Sequence, residues 1–201
     1  MRDWLHRGQN YNYPSLTQTA IPQQILSALD SVYHEFNYVP NLERFLLFYP
    51  DYLDRFSKYR HSLFHPQTVD TRAAYFLVIM VALEFGCVYM LSRASTAFAI
   101  HKGPRDWVLK DECPSYLRTL FPYIRKACKA PWSLCLDDFK YLKSQGWENN
   151  DLLVHIHCIL WGISCCTIAL ALGLQPDEPC TLFDIKKIQE IKAKYEEVPH
   201  K

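Results

Sequence analysis

The longest uncharged stretch of the sequence limits the folds that this chain can adopt. Residues 152–174 read LLVHIHCILWGISCCTIALALGL and contain no Asp, Glu, Lys or Arg. A segment of this length can cross a bilayer, but the central helix of an all-α domain can have the same composition. Two histidines, several Ser, Thr and Gly residues and the absence of a flanking basic cluster favour the second interpretation. We therefore predict a buried core helix and no membrane span.

A second apolar segment runs from Asp70 to about Ile100 and carries the strongest helical pattern of the chain. It is interrupted only around Glu84 to Cys87, where Gly86 can end one helix and leave Cys87 in the first turn of the next. Elsewhere, apolar residues three and four apart and Pro and Gly punctuation indicate further helices and no alternating strand. The predicted fold class is all-α, with about seven helices around two buried central helices.

Length and the two ends of the chain indicate the domain organisation. The chain has 201 residues, about half of them apolar, which is enough to bury one core. Residues 1–22 carry aromatics, prolines and polar residues but no apolar core of signal-peptide length. We predict a draped or mobile extension over residues 1–22 and one domain over residues 23–201, closed by a surface helix near residues 183–191.

Charge and cysteine usage exclude several function classes. Twenty-two basic and 21 acidic residues give a net charge of +1, so neither nucleic acid nor an anionic membrane surface is predicted as a partner. Eight cysteines lie at irregular spacings, several within apolar helical runs, which indicates reduced thiols rather than a disulfide framework. With no secretory signal in the sequence, we expect a cytoplasmic and nuclear protein.

The segment ALEFGCVYMLSRAST, residues 82–96, contains a candidate redox cysteine. It resembles the signature of the alkylhydroperoxidase-D and carboxymuconolactone-decarboxylase fold, in which Glu precedes Cys-x-x-Cys and a His lies seven residues after the first Cys. Glu84 and Cys87 match this pattern. Met90 stands at the second Cys position and Ala94 at the His position, so the local dithiol and the relay histidine are absent.

The chain resembles the N-terminal domain of the sestrins more closely. Sestrins also replace the second Cys with an apolar residue and keep Cys-x-Tyr, here Cys87-Val-Tyr89, although they have a His where this chain has Ala94. The similarity covers about residues 38–175, including PNLERFLLFYPDYLDRFSKYRHSLF and the KGPRDW turn. It continues through a Pro-Trp pair, a later Trp and Leu-Val-His, which here are Pro131, Trp132, Trp147 and His155.

This resemblance implies a single alkylhydroperoxidase-D-like helical domain and a stress-response function. The expected role is regulation of the response to reactive oxygen species and of TOR complex 1 signalling through protein contacts. In sestrins, leucine binding and contact with the GATOR complex belong to a further C-terminal domain, so no residue here is assigned to leucine. The alternative is a single-cysteine alkyl hydroperoxide reductase that uses Cys87 and an external thiol, and a third hypothesis is a partner-binding homologue that has lost both activities.

Four residues form the predicted catalytic site: Cys87, Tyr89, Glu84 and His155. A peroxide-reducing cysteine must ionise, and a helix N-terminus at Cys87 would favour the thiolate. Tyr89 would orient the substrate or handle a proton. Glu84 either shares a proton with the thiol or is an ordinary helix residue. His155 either replaces the missing histidine or is a packed core residue, whereas His101 would lie roughly 21 Å from the cysteine along one helix.

The histidines and cysteines of residues 155–166 also raise the question of a zinc site. Helical positions i and i+2 point to opposite faces, so no four of these ligands converge on one metal ion without another element. We predict no metal and no cofactor. Cys165 and Cys166 are expected to fill the core, and the tryptophans, including Trp132 and Trp161, are expected to pack there as well.

Overall fold

The computed structural model of the chain describes residues 23–109 and 112–177, which are helical and contain no β-strand. The all-α prediction is confirmed for these residues, and their helices outnumber the predicted seven because several are only one turn long. The predicted extension over residues 1–22 and the predicted last helix lie outside the described residues. The helices are α1 (Gln23–Phe36), α2 (Asn41–Leu46), α3 (Pro50–Leu63), α4 (Thr71–Phe85), α5 (Val88–Ile100), α6 (Arg105–Leu109), α7 (Ser115–Arg118), α8 (Phe121–Lys129), α9 (Leu136–Ser144) and α10 (Asn149–Ala171), with a 3-10 turn at Pro131–Ser133.

Helices α4 and α5 form the predicted interrupted segment and pack along each other. Asp70 caps the N-terminus of α4, because its carboxylate accepts a hydrogen bond from the backbone N–H of Arg72 at 3.0 Å. Gly86 caps the C-terminus and has a left-handed φ of 64°. The N–H of Cys87 then donates to the carbonyl of Ala82 at 2.9 Å, closing the C-terminal turn. The predicted break is confirmed, and α5 starts directly after Cys87.

Helix α10 packs against α4, α5 and α3. A Cβ at Gly162 would lie 3.4 Å from Val81 Cγ1, an ordinary van der Waals contact, so α10 and α4 pack closely at this position without requiring a glycine. Among the described residues, α10 is the one helix long and apolar enough to cross a membrane, and half of its most apolar window is buried inside the fold. Its outer face exposes Leu153, Leu160 and Leu170. The second predicted central helix is therefore buried on one side, whereas α4 is buried over nearly its whole length.

Aromatic side chains join α3, α4 and α10. The ring of Trp161 stacks on Phe56 with centroids 6.0 Å apart and meets Phe64 edge-on at 4.9 Å. Phe64 in turn stacks on Tyr75 at 4.5 Å. Core packing is thus confirmed for Trp161 but is wrong for Trp132, which is 82% exposed because it lies in the 3-10 turn at the surface.

Candidate active site

Cys87 occupies the corner between α4 and α5. It is the N-cap residue of α5, with extended backbone angles (φ −84°, ψ 92°), and its side chain is buried. The backbone N–H groups of Tyr89 and Met90 favour the ionised sulfur, although its side chain makes no full capping hydrogen bond. The predicted helix N-terminus at Cys87 is therefore confirmed. Met90 and Ala94 are also buried, so an apolar surface occupies the positions of the missing Cys and His.

A second cysteine, Cys166 of α10, contacts Cys87. The Cys87 Sγ lies 3.9 Å from the carbonyl oxygen of Cys166, to which the protonated thiol donates. When Cys87 is ionised, its sulfur accepts a hydrogen bond from the Cys166 thiol. This hydrogen bond lowers the pKa of Cys87 from 9.0 to about 7, against the opposing effect of burial. The pKa of Cys166 is strongly raised, because its thiol is the donor and is itself buried.

Other buried cysteines show the effect of burial without such a donor. Desolvation raises the pKa of Cys158 to about 12 and raises that of Cys165 further. Cys128, which is only partly buried, also has a pKa of about 12, because desolvation and the nearby carboxylate of Glu84 disfavour its thiolate. The activation of Cys87 therefore depends on its particular contacts.

Tyr89 is buried in a polar network between α5 and α2. Its hydroxyl oxygen accepts hydrogen bonds from the backbone N–H of Leu42 at 3.0 Å and from Arg93 Nη1 at 3.2 Å. Arg93 also forms a fully buried ion pair with Glu43, with Nη1 2.6 Å from Oε2. Burial raises the pKa of Tyr89 well above its usual value. The phenol therefore stays protonated and holds α2 against α5.

Asp177 lies at the edge of the same network, where the chain returns from α10 to α2. The backbone N–H of Asn41 donates to its Oδ1 at 2.6 Å. Burial raises the pKa of Asp177 to about 7, although the charge of Arg93 favours the carboxylate. Sequence reasoning missed this network. Arg93, a single cation inside an otherwise apolar helix, was the signal that could have indicated it.

Glu84 lies on the side of α4 that faces α8. Its Oε1 is 3.3 Å from Arg125 Nε, and its Oε2 is 3.3 Å from Lys129 Nζ. This ion pairing corresponds to the interpretation of Glu84 as an ordinary hydrogen-bonded helix residue. A proton shared with Cys87 stays a prediction, without a contact that supports it.

His155 lies near the start of α10, away from Cys87. Its Nδ1 is 2.7 Å from the carbonyl oxygen of Asp151, and its ring packs edge-on against Trp147 at 4.8 Å. It precedes Cys166 by eleven residues, or roughly 16 Å along the helix axis. The structure does not bring this histidine to the cysteine pair, so its catalytic role stays a prediction. Within the described ranges, no three His, Cys, Asp or Glu side chains are grouped to hold a metal ion.

Most of the chain matches one protein-family model. Residues 15–197 match the family model described as PA26 p53-induced protein (sestrin). Sestrin-1 of Xenopus laevis is 25% identical to the chain over 122 residues, which are 60% of this chain and 25% of that protein. The chain thus spans about a quarter of the length of this curated relative.

Solved structures share the fold. An uncharacterized peroxidase-related protein from Silicibacter sp. TM1040 superposes with a TM-score of 0.66 at 15% identity, over 81% of this chain and 89% of that one. An alkylhydroperoxidase AhpD core protein from Ralstonia eutropha JMP134 gives the same TM-score at 18% identity, over 80% and 92% of the two chains. The predicted alkylhydroperoxidase-D-like fold is confirmed.

Proposed function

Because this chain belongs to the PA26 p53-induced protein (sestrin) family, we propose that it is a stress-response protein that acts in the response to reactive oxygen species. The observation that carries the proposal is the Cys87 thiol at the α5 N-terminus, whose pKa is about 7. About half of such a thiol is ionised at neutral pH. The thiolate is the form that attacks hydroperoxides, which supports a redox-responsive site.

We propose further that the output of the protein is a contact with regulatory proteins rather than rapid turnover. Met90 and Ala94 replace the resolving cysteine and the relay histidine of the alkylhydroperoxidase-D pattern, and both are buried. A chain without these groups lacks the usual route for regenerating the thiol and moving its proton. By family resemblance, the partners would belong to a GATOR-type complex that controls TOR complex 1 in the cytoplasm and nucleus.

Complementation of cells that lack the protein tests this regulatory proposal. We expect the wild-type chain to restore the peroxide-dependent fall in TOR complex 1 kinase output, and Cys87→Ser to fail. Cys135→Ser is the matched control, because Cys135 is an exposed cysteine at the start of α9. Affinity purification with and without leucine should recover GATOR components. Their absence, together with full activity of Cys87→Ser, would contradict the proposal.

The second candidate function is an alkyl hydroperoxide reductase, which the same thiolate favours. Here an external thiol would regenerate Cys87 after each reaction. The assay follows consumption of cumene hydroperoxide in the presence of dithiothreitol. Turnover that is lost in Cys87→Ser and kept in Cys135→Ser would establish the enzyme, whereas turnover equal to the protein-free rate would leave only the regulatory function.

A further inference from the structure

The site contains two thiols that come from distant parts of the sequence. Cys87 and Cys166 are 79 residues apart, yet the Cys87 Sγ lies 3.9 Å from the Cys166 carbonyl oxygen where the α4–α5 corner packs on α10. Both are free and buried in the structure. Met90 stands three residues after Cys87, and the cysteine that contacts Cys87 in the fold is Cys166 of α10.

We propose that Cys166 is the resolving cysteine of Cys87, so that reaction of Cys87 with a hydroperoxide leads to a Cys87–Cys166 disulfide. This inference rests on the proposed reaction of Cys87 with hydroperoxides, and it replaces the external thiol in the resolving step. The disulfide would tie the α4–α5 corner to α10. Oxidation of the site would then form a covalent bond between two parts of the core, and reduction would break it.

The reaction balances with an alkyl hydroperoxide as the oxidant. The Cys87 thiolate attacks the terminal peroxide oxygen, the O–O bond breaks, and the alkoxide leaves as an alcohol after it takes up a proton. Cys87 becomes a sulfenic acid. The Cys166 sulfur then attacks the Cys87 sulfur, and the hydroxide leaves as water with the proton of the Cys166 thiol. Two thiols lose two electrons in total, and the peroxide gains them. An external dithiol resets the pair by exchange.

The contact selects Cys166 from the other cysteines of the core. Cys165 precedes it directly, but neighbouring residues on a helix project about 100° apart, so only one of the two can face Cys87 in the same way. Cys158 is two turns earlier on α10, and Cys128 lies on α8 near Glu84. The Cys87 Sγ lies 3.9 Å from the carbonyl oxygen of Cys166 itself, and the Cys166 thiol is the side chain that favours the Cys87 thiolate.

The corner that holds the buried sulfur has exposed residues on both sides of it. Cys87 is 1% exposed, whereas its chain neighbours Gly86 and Val88 are exposed. The reaction therefore requires the corner to move far enough to admit a hydroperoxide. The same movement must bring the two sulfurs to the disulfide bond length of about 2.05 Å.

Peptide mapping of the full chain tests the proposal. The protein is treated with one equivalent of cumene hydroperoxide in the presence and absence of dimedone, alkylated, and digested with trypsin without reduction. Trypsin leaves Cys87 in peptide 73–93 and Cys166 in peptide 144–186, which also contains Cys158, Cys165 and Cys180. We expect these peptides to appear cross-linked and lighter by two hydrogen atoms than the sum of the reduced pair.

Two matched variants assign the partner of Cys87. Cys166→Ser should abolish the cross-link and leave Cys87 as a dimedone adduct, and Cys165→Ser should retain the cross-link. A Cys87 adduct without a cross-link in the wild-type chain would overturn the inference and leave the proposed function standing. A cross-link that persists in Cys166→Ser would also overturn it. Failure of Cys87 to oxidise at all would remove both the inference and the proposed reaction.

Discussion

The replacement Cys166→Ala should return Cys87 to the acidity of an ordinary buried thiol. The hydrogen bond from the Cys166 side chain is the largest influence that lowers the pKa of Cys87. Alanine removes this donor and leaves burial, which raises the pKa, against the weaker effect of the Tyr89 and Met90 backbone N–H groups. We therefore expect the pKa of Cys87 to rise from about 7 to at least its ordinary value of 9.0.

The rate at which Cys87 is oxidised should fall by a smaller factor than the fraction of Cys87 that is ionised. At pH 7, the thiolate fraction would fall from about one half to about one in a hundred, roughly fiftyfold. A thiolate of higher pKa is the better nucleophile. With a Brønsted coefficient of about 0.45, the rate constant of each thiolate rises roughly eightfold for this change in pKa. The rate of Cys87 oxidation at pH 7 should thus fall only about sixfold. The position of the ionisation midpoint is the more sensitive measurement.

A difference titration measures that midpoint without a reagent that must reach the buried sulfur. Thiolate absorbance near 240 nm is recorded against pH for each protein and for its Cys87→Ser counterpart, so the other cysteines and the tyrosines cancel. Cys165→Ala is the matched control, because it removes the adjacent buried thiol and should leave the midpoint near 7. A midpoint that stays near 7 in Cys166→Ala would refute the assigned cause of the activation.

Three further predictions concern the stability of the same region. Arg93→Met should destabilise the domain by about 3–5 kcal/mol in urea unfolding, because it leaves the Glu43 carboxylate buried and unpaired; a loss under about 1 kcal/mol would contradict this. The raised pKa of Asp177, about 7 against 3.8, favours its protonated form in the folded state, so stability falls as pH rises from about 4 to 7. Asp177→Asn should remove that dependence, on the order of a few kcal/mol, and an unchanged difference in Tm between pH 5 and pH 8 would disprove it. Gly86→Ala should cost about 1–2 kcal/mol because alanine must adopt the left-handed φ of 64°, and equal stability of the two proteins would contradict this.

The sequence was most informative about the helices and the corner between α4 and α5. Apolar periodicity and the single Gly86 were sufficient to predict the helical segment, its interruption and the placement of Cys87 at a helix start. These features depend on residues close together in the chain. The exposed outer face of α10 was not predicted, because an uncharged segment has the same composition whether one side or both sides are covered.

The contacts of the site were much less accessible to sequence reasoning. Cys166 was assigned to core filling, and its meeting with Cys87 depends on how α10 packs against the α4–α5 corner, 79 residues away. His155 was proposed as a relay because it opens the same buried helix, yet the length of α10 separates it from Cys166. The distance between a residue and its partner across a core is fixed by helix packing, which no local pattern encodes.

The most direct test of the central claim compares Cys87 with Cys135 in one sample. Cys87 is buried and activated, whereas Cys135 is exposed at the start of α9. The wild-type chain, which keeps the Cys166 donor, is treated with substoichiometric cumene hydroperoxide and dimedone at pH 7. The oxidised forms of both cysteines, as dimedone adduct or disulfide, are quantified by peptide mass spectrometry. The account predicts that Cys87 is oxidised before Cys135. Oxidation of Cys135 with an unmodified Cys87 would show that exposure, rather than activation at the α5 N-terminus, governs reactivity and would contradict the account.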